Sequence, residues 1–172
     1  VDRNGTVLSS NTINVNYTGG AVVPEGNVVF SEIMYRPALD GAGYVELFNS
    51  HSNYTFDLSN WRVNGLDYTF PPGATLPPRS LLVLAEDPYA SAIAYGATNV
   101  VFSGVSGKLD ADGETLTLFR PASATNEIVV DRVRYEAVAP WSLAATNGTS
   151  LQLVDPAQDN SRVANWTVGT TN

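Results

Sequence analysis

The 172-residue chain contains no cysteine, one histidine and one methionine. The first absence excludes disulfides, thiol catalysis and cysteine-ligated zinc together. Basic residues are scarce as well: nine Lys and Arg stand against seventeen Asp and Glu, for a net charge of -8. Binding to a phosphate backbone depends on Lys and Arg displacing counterions, so nucleic acid is not an expected partner. Arg36, Arg62, Arg79 and Lys108 form no basic run, which leaves an anionic membrane surface equally unsupported. No stretch approaches the roughly 18 apolar residues of a spanning helix, and the N-terminus lacks a charged region followed by an apolar one. Neither membrane insertion nor a signal peptide is expected.

What is present points to β-structure. Hydrophobic residues make up 44% of the chain and charged residues only 15%, so the polar surface must come largely from Asn, Ser, Thr and Gly. That composition suits an extracellular all-β protein better than a cytosolic helical enzyme. The length suits one domain with a real core, since about 150 residues bury roughly 68–70% of the unfolded surface. Near the start, Ile13, Val15 and Tyr17 alternate with Asn14 and Asn16 at the period of a strand. Gly19-Gly20 and Pro24-Glu25-Gly26 then break the pattern. We read 1–26 as a strand and linker from a preceding module and 27–172 as the domain itself. The alternative is that the first strand adds to an edge of this domain. A start at Val1 rather than Met suits a piece of a longer protein.

Short β-like runs separated by Gly, Pro, Asn and Asp predict strands near 28–35, 43–49, 56–63, 66–70, 79–86, 99–102, 114–120, 127–136 and 149–154. Pro71-Pro72-Gly73 and Pro77-Pro78 bracket a loop that cannot lie in a central strand, because proline donates no ladder hydrogen bond. Only 88–96 has helical spacing, with Tyr89, Ala92 and Ile93 on one side and Gly96 as the stop. In 114–120, Leu116 and Leu118 face one way and Thr115, Thr117 and Phe119 the other. In 127–135, the face with Val129, Val133 and Tyr135 is the better candidate for burial. The fold class is therefore an all-β antiparallel sandwich with one short helical segment.

With those strands placed, the chain resembles the lamin tail domain, an immunoglobulin-like sandwich. The resemblance rests on Ser31-Glu32-Ile33-Met34-Tyr35 with Pro37, on Tyr44-Val45-Glu46-Leu47-Phe48-Asn49 and on Asp57-Leu58-Ser59-Asn60-Trp61. It continues through Tyr68-Thr69-Phe70-Pro71, Leu76-Pro77-Pro78, Leu82-Val83-Leu84-Ala85 and Gly113-Glu114-Thr115-Leu116-Thr117-Leu118, and ends on Asp159-Asn160 with Asn165-Trp166. Its motif set and the helix-like 88–96 segment resemble the bacterial, extracellular form of the family more than the lamins of animal nuclei. The resemblance implies a non-catalytic module appended to secreted or surface proteins, with a role in attachment or assembly.

Several residues are candidates for chemistry. His51 lies in a polar loop, with no nucleophile elbow anywhere to serve it, and reads as a solvated loop histidine. Glu32 and Glu46 occupy comparable places on adjacent predicted strands, and two carboxylates at the right separation run glycoside hydrolysis. They equally suit half-buried acceptors for backbone or Arg donors. Asp110, Asp112 and Glu114, with Gly113, resemble half of a calcium loop, and the same residues make an ordinary hairpin turn. Trp61 and Trp166 read as core. Trp141, after Ala139-Pro140, is the candidate for sugar stacking or protein binding, against the alternative that it packs beneath its loop. No cofactor is implied, and calcium is the one ion considered. The expected function is a non-enzymatic adhesion, tethering or assembly module with a protein or glycan partner at the cell surface. The alternative is a carbohydrate-binding module serving an attached glycan-active enzyme.

Overall fold

The computed structural model describes residues 21–96, 105–141 and 148–169; the strands expected within 6–17 and at 99–102 lie outside these residues. In chain order the elements are β1 (Val28–Met34), β2 (Tyr44–Asn49), β3 (Phe56–Asp57), β4 (Arg62–Asn64), β5 (Tyr68–Thr69), β6 (Thr75–Leu76), β7 (Leu81–Ala85), α1 (Pro88–Tyr95), β8 (Thr115–Pro121), β9 (Glu127–Arg134), β10 (Leu151–Leu153), a 3-10 turn (Val163–Asn165) and β11 (Trp166–Val168). One sheet runs β11-β10-β1-β2-β7, a second β5-β4-β8-β9, and a two-stranded piece pairs β3 with β6. All pairings are antiparallel. Between the sheets, Val28, Phe30, Ile33, Val45, Leu47, Leu84 and Leu151 meet Val63, Leu116, Leu118, Val133 and Tyr135 in one buried cluster.

The single strand expected over 56–63 is instead two. Between β3 and β4 the chain turns, with the Trp61 N–H donating to the Leu58 carbonyl at 2.9 Å and Asn60 in the left-handed region at φ 62°. Asp57 Oδ1 accepts from the Ser59 N–H, and Ser59 Oγ accepts from the Gly73 N–H, both at 2.8 Å. This turn moves the chain from pairing with β6 to pairing with β8. The segment between the two proline pairs contributes β6, a two-residue strand on the small sheet and not in a central position.

Two β-bulges decide which side chains reach the core. In β1 the partners of Phe30 and Glu32 are Leu47 and Glu46, consecutive on β2, so Ser31 is the extra residue. In β9 the partners of Leu118 and Phe119 are Asp131 and Val129, so Val130 is extra. An extra residue shifts the two-residue period by one. Val130 is consequently buried together with Val133 and Tyr135, whereas Val129 is exposed, a correction to the face expected from strict alternation. The same shift leaves the partly buried Asp131 side chain directed across the sandwich. Its Oδ2 accepts from the Phe30 N–H of β1 and from Asn160 Nδ2, each at 2.7 Å. One carboxylate thus ties the two sheets together at their bulges.

The helix forms where expected but turns a different side inward. Asp87 caps it by accepting from the Tyr89 N–H at 2.8 Å, Pro88 supplies a pre-set first residue, and Gly96 closes it at φ 63°. Tyr89 and Ile93 are 75% and 61% exposed, while Ala90 and Ser91 are buried. Ala90 lies beside the Gly41 turn, where a Cβ at Gly41 would stand at an ordinary contact distance of 3.6 Å from the Ala90 Cβ. Residues 22–26 belong to the packed fold, with Val22 against the core, Pro24 buried and Glu25 paired to Arg120 at 2.8 Å.

Burial raises the Asp131 carboxyl above the ordinary carboxylate range; its Phe30 and Asn160 hydrogen bonds pull the other way and Asp159 nearby adds to the rise. A carboxyl raised on folding holds its proton better folded than unfolded. The part of its contribution to stability that comes from holding the proton is therefore full below the unfolded value of about pH 4 and is lost as pH climbs through the raised folded value. We expect the wild-type minus Asp131→Asn difference in urea-unfolding free energy to fall from about pH 4 to neutrality. A rise would refute burial as the dominant influence. Asp131→Ala, which strands the Phe30 N–H and the Asn160 amide, should cost about 1–3 kcal/mol at neutral pH.

Candidate functional site

The bulge at Ser31 places both Ser31 and Glu32 on the outer face of the five-stranded sheet. Register then builds a row straight across all five strands: Val83 opposite Glu46, Glu46 opposite Glu32, Glu32 opposite Gln152, Gln152 opposite Thr167. The two glutamates weighed from the sequence are direct cross-strand neighbours. They share a shallow depression of about 340 Å³ lined by Ser31, Glu32, Glu46, Phe48, Leu81, Gln152, Leu153 and Pro156.

Neutral hydroxyls hold each carboxylate. Glu32 Oε1 accepts from the Tyr44 hydroxyl and from the Ser150 hydroxyl, both at 2.5 Å. Glu46 Oε1 accepts from the Ser31 hydroxyl at 2.8 Å. Gly169, just past β11, approaches this site closely: a Cβ there would fall 2.5 Å from Ser150 Oγ and 2.7 Å from the Gln152 amide carbon, so these side chains would have to shift. Burial raises the Glu46 carboxyl above its ordinary range, the Ser31 hydroxyl opposes this, and the neighbouring Glu32 charge adds to it. Burial likewise raises the Tyr44 hydroxyl, reinforced by Glu32, so Tyr44 stays a donor. Its ring meets Tyr95 edge-on with centroids 5.4 Å apart.

The remaining candidates are separated from this face. Asp110 Oδ1 accepts from the Asp112 N–H, and Glu114 Oε1 accepts from the Asp110 N–H, each at 2.8 Å. Asp112 also pairs with Arg36 at 3.3 Å, and Glu114 Oε1 takes the buried Tyr135 hydroxyl at 3.1 Å. These carboxylates shape a turn, and among the described residues no three His, Cys, Asp or Glu side chains are grouped to hold a metal ion. Trp141 is only 5% exposed and packs against Trp166 with centroids 6.1 Å apart. The indole is covered, as the packed reading of Trp141 expects, and offers no open ring face for sugar stacking. Trp61 is buried, and Trp166 is buried with its Nε1 donating to the Asn160 carbonyl at 2.7 Å. His51 sits half-buried beside Tyr54 and Phe56.

Asn49, buried at the end of β2, shows what part of the family motif does structurally. Its amide nitrogen lies 2.8–3.0 Å from the carbonyls of Tyr54, Leu76 and Pro77, and its oxygen accepts from the His51 N–H at 3.0 Å. The sequence reading missed Ser150, which reaches Glu32 from a distant part of the chain. No local pattern marks it, because the contact depends on β10 lying beside β1.

Two antiparallel sheets packed face to face, with a single short helix, define an immunoglobulin-like sandwich, a fold class that is not a catalytic one. The chain belongs to the lamin tail domain family, whose model matches residues 22–137. No curated protein and no solved structure matches it.

Replacing Glu32 by Gln removes the charge beside Glu46, so the Glu46 carboxyl is expected to titrate at lower pH in Glu32→Gln than in wild type. Carbon-detected NMR of the side-chain carboxyl reads this directly, and an unchanged or higher midpoint would contradict the coupling.

Proposed function

We propose that the chain is a non-catalytic interaction module of a larger extracellular or cell-surface protein, acting in adhesion, tethering or assembly. The observation that carries this reading is the outer sheet face. Its paired glutamates are held by hydroxyls in a shallow depression with an apolar rim, a surface suited to contact with a partner. Membership of the lamin tail family supports a module of this kind. Composition supports the extracellular setting, since polar uncharged residues carry much of the surface. In the described residues no helix is long and apolar enough to cross a membrane.

Glycoside hydrolysis needs one carboxyl as acid and another as nucleophile or base on either side of a bound sugar. Here both carboxylates project from one sheet face, side by side in register, which suits a flat contact better than a cleft around a glycosidic bond. The carbohydrate-binding alternative draws on Trp141 or on exposed tyrosines; the Trp141 ring is covered, whereas Tyr54 and Tyr89 are exposed.

The full chain, incubated with a panel of aryl glycosides and polysaccharides, is expected to release no product, and Glu32→Gln/Glu46→Gln to behave identically. Turnover by wild type that disappears in a folded double variant would overturn the non-catalytic reading. A glycan array probed with and without calcium should show no binding that depends on Trp141. Specific binding lost in Trp141→Ala would favour the carbohydrate module instead.

A further inference from the structure

We propose that the depression beside Glu32 and Glu46 docks a lysine or arginine side chain presented by a protein partner. The inference rests on the reading of the chain as a non-catalytic interaction module and names the chemistry of its partner.

Charge complementarity carries it first. The only charged groups lining the depression are two carboxylates, directly opposed on neighbouring strands, where like charges repel. Among the described residues neither has a cationic partner: the ion pairs join Arg36, Arg62, Lys108, Arg120 and Arg134 to other acids. The hydroxyl bonds engage Oε1 of each glutamate and leave each Oε2 without a described partner. An incoming ammonium or guanidinium would take both and relieve the repulsion.

The lining supplies the second half of the match. Phe48, Leu81, Leu153 and Pro156 give the depression an apolar side next to the carboxylates. Leu81 is 57% exposed. Long basic side chains bury an alkyl stem along apolar surface while the head stays with polar groups, which is the division seen here. The volume sits at the low end of the roughly 300–1,000 Å³ typical of small-ligand sites. Calcium is a poorer fit, since it takes about six to eight oxygens and two glutamates beside one amide fall short.

The test is an NMR titration of the isotopically labelled full chain with four probes: the N-acetyl methylamides of lysine, arginine and norleucine, and methylammonium. Norleucine has the stem without the charge, and methylammonium the charge without the stem. Saturable shifts at residues 31, 32, 46, 48, 81, 152 and 153 are expected for lysine and arginine, at affinities about tenfold above either control. Glu46→Gln should abolish them. Leu81→Ser, a change at an exposed position that leaves both carboxylates intact, should weaken them severalfold while the spectrum stays folded. Equal binding of norleucine, shifts spread over acidic residues elsewhere, or unchanged binding in both variants would each overturn the proposal. Those failures would remove the basic partner while leaving the non-catalytic reading in place; only turnover in the hydrolysis assay removes that.

Discussion

The Asp131 carboxylate is the contact on which the arrangement of the two sheets depends. Sheets in a sandwich are otherwise held by apolar packing, which is nondirectional and tolerates sliding. A charged acceptor at 2.7 Å from the Phe30 N–H is directional and fixes one point of β9 against one point of β1. It exists only because the extra residue in β9 brings Val130 and Asp131 inward together. Asn160 completes the site from beyond β10, and its carbonyl accepts from Trp166 Nε1, so the C-terminal segment is locked to the same point.

The matching bulge in β1 sets the outer face. Were Ser31 paired in a regular ladder rather than bulged, Glu32 would fall on the same side as Phe30 and Val28, and a glutamate would enter the core. With it, Val28 and Phe30 above the bulge and Ile33 and Tyr35 below all point inward, while Ser31 and Glu32 both face out. Ser31 is then in place to donate to Glu46. Core and candidate site are therefore two consequences of one inserted residue.

How much of this was legible follows from the range of the contacts involved. Strands with clean alternation, such as 43–49, read directly, as did the helix with its Gly96 stop. The pairing of Glu32 with Glu46 was also legible, because both lie on strands joined in sequence. Bulges were not. Val129 and Val130 are chemically alike, and only the partner strand decides which is skipped. The inward side of α1 was hidden for a related reason: Ala90 packs beside Gly41, distant in sequence, while Tyr89 and Ile93 face out. Trp141 left two readings open, because a tryptophan in a proline-bearing loop looks available until Trp166 is brought against it.

The outer face also carries a cost that the fold does not need. Desolvating the Glu46 carboxylate and setting it opposite Glu32 both disfavour its charged form. A threonine at either position would suit an exposed strand and remove the repulsion. Asp131 bears a similar desolvation penalty, but it satisfies a backbone N–H and joins the two sheets, so its retention has a structural reason. Glu46 has only the Ser31 hydroxyl and joins nothing across the sandwich. Perturbed carboxyls without a structural role concentrate where a surface meets a ligand. The contrast between these two acids, one explained by the fold and one not, is what directs attention to the outer face of the sheet.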